Sequence, residues 1–236
     1  LICDKVEFPQ KAEIENFTVT VQTLLSLNGL EGNTLTINNT GLTQLPEIRF
    51  GSVIKLYNDF LIDFPVSLLN DTEINITGGK LTFADRVNPD GKGTIDSGLK
   101  GDGSADSNSL TLKALNGIIF NSSSALGAGV GVLGNSRKLN NLTILSDSIL
   151  SKTLELHAEN VILNNVTITP ATSQELKIYG NLDLYQTDTL NPDTTVTGNV
   201  ELKAPSAENP ATVLNNNATL FVGGNFTDAG TYTPDS

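Results

Sequence analysis

Oxygen-bearing side chains spaced around a glycine turn can cage a hard cation, and one stretch of this 236-residue chain has that pattern. In Asn88-Pro89-Asp90-Gly91-Lys92-Gly93-Thr94-Ile95-Asp96 the oxygens come from Asn88, Asp90 and Asp96, with Asp102 and Asp106 downstream. The chemistry would be Ca2+ binding, and no other cofactor is expected. The stretch departs from the helix–loop–helix calcium pattern. Arg86 stands two residues before Asn88, where a ligand belongs, and no Glu closes the loop. A solvated turn of the same composition is the competing reading.

Carboxylates come next. General acid/base work on a polysaccharide needs two of them facing one groove, ~5–10 Å apart. Asp147, Glu155, Glu159 and Asp183 lie in strand-like stretches, but with no Trp and only 6% aromatic residues the chain shows no aromatic-rich subsite beside them. His157 is the one histidine; it alternates with Leu154 and Leu156, which points it outward with no nucleophile in the same motif. Catalysis is therefore not expected. Asn-x-Ser/Thr triplets at Asn16, Asn38, Asn70, Asn75, Asn121, Asn141, Asn165, Asn217 and Asn225 are candidate N-glycan acceptors. The same asparagines, stacked at corners, could instead form amide ladders that satisfy backbone groups. Cys3, the only cysteine, excludes an internal disulfide.

The elements that must position these residues read as short strands. Phe17, Val19, Leu24 and Leu27 recur as Leu35, Ile37, Leu42 and Leu45, then as Ile54, Leu56, Leu61 and Phe64, and begin again at Ile74, Ile76 and Leu81. Periods of ~20–29 residues mark solenoids. The run from Leu35 to Pro46 is similar to a leucine-rich repeat, so a recognition module of that kind is one reading of 17–83. Residues 84–108 carry Gly, Asp, Asn and Ser and no apolar pair at core spacing, which predicts an insertion. From Ser109 the register resumes, with strand starts near Leu110, Leu142, Leu154, Leu176, Val200 and Leu220, and Ala125–Lys138 is a Gly-rich extension of a corner. The pattern predicts an all-β chain, a right-handed parallel β-helix (β-solenoid) of about ten rungs and roughly 50 Å, with two loop insertions. The expected parts are 1–16 as a cap or strand, 17–83 and 109–236 as solenoid blocks, and 84–108 as the insertion.

The totals narrow the function classes. Hydrophobic residues at 38%, regularly spaced, argue against disorder. A net charge of −12 leaves no basic surface to displace counterions from phosphates, so nucleic acid is not an expected partner. No run approaches the ~18–20 apolar residues of a membrane-spanning helix, and no signal peptide is visible; the chain opens on Leu1, as a mature or excised fragment would.

At Leu110–Ser124, Leu154–Ile168 and Leu220–Pro234 the chain resembles rungs of bacterial secreted β-helix proteins, the filamentous-haemagglutinin-type exoproteins and autotransporter passengers. The likeness covers 109–236 well and 17–83 less well. Asn88-Pro89-Asp90-Gly91 is similar to the Asn-Pro-Asn-Gly motif of two-partner exoproteins, with Asp in place of the second Asn. The resemblance implies an extracellular, cell-surface adhesin that presents faces and loops to a host or neighbouring-cell protein or glycan, usually without a cofactor. End-to-end self-association into a fibre and a polysaccharide lyase or hydrolase are the alternatives.

Overall fold

The computed structural model describes residues 2–38, 44–87, 90–100, 104, 106–123, 126–129, 137–203, 212–215 and 218–234. Among them there is no helix, and the strands stack as a β-solenoid of about nine turns. At ~4.8 Å per turn the rod is about 43 Å long. Among the described residues all pairings along it are parallel except a hairpin off its side, Leu81–Val87 against Asp90–Lys92.

Each turn has three segments. A first leg bends into a second leg, and a third strand closes the turn. The two legs belong to one bent sheet and the third strands to another. The bend is visible as register shifts inside long strands, between Asn28 and Leu30, Phe50 and Ser52, and His157 and Asn160. At two of these bends the chain takes left-handed backbone, at Gly29 (φ 100) and Ser52 (φ 58). Gly180 marks the same corner for a different reason: a Cβ there would lie 1.8 Å from the Ala158 carbonyl oxygen of the turn below.

Alternate residues of each segment point inward and stack on their equivalents. On the first leg Leu25, Ile48, Val66 and Ile95 form one column, continued by Leu156, Ile178 and Val196. On the second leg Ile54, Ile74, Leu112, Ile144, Leu163, Leu184 and Leu202 do the same. All are essentially inaccessible. On the third face Phe83 and Phe120 stack on consecutive turns, ring centroids 5.2 Å apart. This burial of apolar columns is the main force holding the turns together.

The structure refines the expected register in three places. Phe17 and Val19 do pair with Leu35 and Ile37, but on the third face, whereas Ile54 and Leu56 pair with Ile74 and Ile76 on the second leg. The 18–20-residue step is real, yet it crosses from one face to another. Leu61 aligns with Thr82, not Leu81, and points outward; Phe60 and Ile62 are the buried pair. The 84–108 stretch is not wholly outside the ladder either. Thr94–Asp96 pairs with Pro65–Ser67 and buries Ile95 completely, so one turn of the rod passes through it. The described residues of 17–83 are built from the same three-segment turns as the rest.

Candidate functional site

The outer surface of the first leg is where the chain's excursions converge. Asp96 lies on the solvent side of its strand, since its neighbour Ile95 is in the core, yet it is only 7% exposed. Later chain covers it. The Gly129 N–H donates to Asp96 Oδ1 at 3.0 Å, and the Arg137 guanidinium lies nearby. Arg137 itself bridges three turns: its Nε donates to the Ser97 carbonyl at 2.7 Å and its Nη2 to Ser67 Oγ. The next loop is tied to the same point. Ser97 Oγ donates to the Asp106 carbonyl at 2.6 Å and accepts the Asn108 N–H at 3.0 Å. Burial pushes the Asp96 carboxyl above the ordinary aspartate range, against the opposing pull of the Gly129 and Gly127 N–H groups and Arg137.

His157 adjoins this cluster. The strand bearing it is pinned by the Leu126 N–H donating to the Glu155 carbonyl and the His157 N–H donating to the Leu126 carbonyl. The imidazole stacks on Tyr179 from the next turn, centroids 4.2 Å apart. Its Nε2 is buried, has no hydrogen-bond partner among the described residues, and lies 3.6 Å from Glu155 Oε2. His157 therefore faces outward as its alternation predicts, but as a half-covered ring in a stack. At the Arg137–Ser67 contact opens a groove of about 380 Å3 lined by Arg49, Ser67, Leu99, Lys100, Asp106 and Arg137 among others. Arg49, Lys100 and Arg137 line it together with Glu47 and Asp106, so the groove can take a polar ligand that offers both donors and acceptors.

The expected carboxylates do not converge on one face. Glu155 is on the first leg, Glu159 at the corner beyond it, paired with Lys138, and Asp183 on the second leg, paired with Lys203 at 2.8 Å. Asp147 sits at the far corner, where Oδ1 accepts the Thr167 N–H. Of the calcium triad, Asp96 has the protein partners just described. Asn88 lies outside the described residues, and Asp90 enters only through its backbone pairing with Val87. Among the described residues no group of three His, Cys, Asp or Glu is arranged to hold a metal.

The asparagine triplets divide by position. Asn28 and Asn70 meet across Gly51, with Asn70 Nδ2 donating to Asn28 Oδ1 at 3.1 Å. A longer ladder climbs the same corner above: Asn160 Nδ2 donates to Asn141 Oδ1 at 3.0 Å, and Asn181 Nδ2 to Asn160 Oδ1 at 3.1 Å. It continues as backbone N–H groups of Asn199 and Asn225 donating to Asn181 Oδ1 and Asn199 Oδ1. Asn70 and Asn141 are thus ladder members, and Asn75 donates to Glu73. The side chains of the exposed Asn16, Asn121 and Asn165 make no hydrogen bond among the described residues, and Asn165 occupies a left-handed corner (φ 57). Asn38 is exposed, and Asn217 lies outside the described residues. Arg137 and Tyr179 were not legible as site residues in the sequence. Arg137 follows a Gly-rich run with no partner in sight, and Tyr179 meets His157 only through the turn-to-turn register.

The chain matches no protein-family model, no curated protein and no solved structure.

Proposed function

We propose that this chain is a structural and adhesive surface module, a β-solenoid rod that holds a loop-built polar groove toward an extracellular partner. The observation that carries this reading is the convergence of two excursions on one face. Arg137 joins the later excursion to Ser97 and Ser67, and Ser97 anchors the earlier one. Loops carry recognition when a rigid scaffold positions them, and here the scaffold is a stack whose strand pairing and apolar columns fix each turn. The small fraction of charged residues (17%) and the Asn-, Thr- and Ser-rich composition suit an extracellular setting. The binding is read as recognition without bond chemistry, since the carboxylates are distributed over separate faces and engaged in ion pairs or backbone capping.

The test compares beads coated with this chain and with a variant in which residues 99–106 are replaced by a short Gly-Ser turn. Specific adherence to cell monolayers or immobilised surface glycans that drops at least several-fold in the variant supports the reading. Equal adherence of the two, or release of reducing ends from any polysaccharide presented, overturns it.

A further inference from the structure

On the other side of the rod, at the corner between the second leg and the third face, two adjoining depressions share Asn116, Gly117 and Asp147 and form one groove. The larger part measures about 560 Å3. Its walls carry Lys113, on the outer side of the second leg, and Lys80, at the entry to the third face. Most lysines and arginines among the described residues are spent on carboxylates, as Lys152 is on Asp85 and Lys203 on Asp183. Lys80 and Lys113 have no ion pair among the described residues. The one carboxylate lining the groove, Asp147, is committed to the Thr167 N–H at 2.8 Å. Two unpaired cations thus flank one corner of a chain whose net charge is −12.

Between them the floor is amphipathic. Leu115 is 72% exposed and Ile149 46% exposed. Next to them stand the amide of Asn116 and the hydroxyls of Ser146, Thr167 and Thr169. One turn further along the rod, at the same corner, Tyr57 is 58% exposed and its ring lies over Gly78, where a Cβ would come within 2.8 Å of it. The groove spans four successive turns, about 14 Å at ~4.8 Å per turn. Its backbone groups are already used: the Asn116 N–H donates to Gly79, Leu81 to Gly117, and Ile118 to Asp147. An extended peptide adding as a strand has no edge to pair with here.

We infer that this corner is a binding site for an anionic oligosaccharide, a short run of linked sugar rings bearing carboxylate or sulfate. The rings offer C–H faces to Leu115, Ile149 and Tyr57, their hydroxyls meet the Asn116 amide and the serine and threonine hydroxyls, and their anionic groups pair with Lys80 and Lys113. The site is separate from the loop-built groove and does not depend on it.

The experiment is a calorimetric titration of the chain at low ionic strength with four probes of equal length: a tetra-uronate, a sulfated tetrasaccharide, a neutral tetrasaccharide and tetraglutamate. At least one of the two charged saccharides is expected to bind about tenfold or more tightly than the neutral one. The Lys80→Gln/Lys113→Gln double variant loses that margin, and added salt reduces it. Neither side chain supports the fold, so the melting temperature stays unchanged. Lys92→Gln on the hairpin and the loop-shortened variant keep wild-type affinity. Three results each overturn the assignment: no preference for a charged saccharide over the neutral one, wild-type affinity in the double variant, or tetraglutamate binding as tightly as the saccharides.

Discussion

Replacing Asn160 by Ala cuts the corner ladder in the middle. The substitution removes two amide–amide bonds, of 3.0 Å to Asn141 and 3.1 Å from Asn181, and leaves two half-buried amide atoms without their partners. A net hydrogen bond contributes about 1 kcal/mol, and an orphaned partner adds to the loss, so the expected destabilisation is about 2–3 kcal/mol. For a chain of this length each kcal/mol corresponds to about 2–4 °C in Tm. Asn140→Ala is the internal control, one residue from the ladder but exposed, with no side-chain hydrogen bond among the described residues; it should stay within about 0.5 kcal/mol. Asn160→Asp sharpens the test. The carboxylate still accepts from Asn181 but faces the Asn141 oxygen with a lone pair in place of a donor. Its penalty should shrink as the pH falls and the new carboxyl regains a proton to donate. Urea titrations by circular dichroism at pH 7 and pH 4 read all three. If Asn160→Ala and Asn140→Ala have the same midpoint, the ladder is incidental to stability and the reasoning fails.

Further outcomes can be measured on the same chain. Asp188 is fully buried, accepts the N–H groups of Val166 and Tyr185, and is pushed up to about 7 by burial. Because its folded value lies above the unfolded 3.8, its contribution is present below about pH 4 and lost as the pH rises through about 7. Wild-type stability should therefore fall across that window, and Asp188→Asn should flatten the slope of midpoint against pH. Phe83→Ala removes a fully buried ring stacked on Phe120 and should cost about 3–5 kcal/mol in a urea titration; a cost under 1 kcal/mol would mean the third-face column is loosely packed. Secretion from a glycosylating host followed by peptide mapping should find glycans at Asn16, Asn121 or Asn165 and none at Asn70 or Asn141, whose amides are held in ladders. Full occupancy at Asn141 would contradict the ladder.

The strands were legible in the sequence because a sheet imposes a period of two, and an apolar residue every second position marks its buried side. That signal identified Leu110 and Leu112, Leu154 and Leu156, and Ile74 and Ile76 as inward pairs, and all are in the core. It failed at Leu61, where Phe60, Leu61 and Ile62 are three apolar residues in a row and alternation cannot say which parity faces in. It failed again at Ile95, a lone apolar residue among polar neighbours, whose burial comes from pairing with Val66 some thirty residues earlier. The amide ladder was foreseeable as a type of contact, but not as the particular set Asn141, Asn160 and Asn181.

The sequence by itself determined the class of fold: repeated short alternating runs separated by polar corners can bury their apolar sides only by stacking turn upon turn. Tertiary structure alone decided which turn lies over which, because spacings vary from turn to turn and the excursions interrupt the count. From that stacking follow the burial of Asp96 under Gly129 and Arg137, the stacking of His157 on Tyr179, and the meeting of Lys80 and Lys113 at one corner. Each joins residues of different turns, so each is set by register, a property of neighbouring turns that no single stretch of sequence contains.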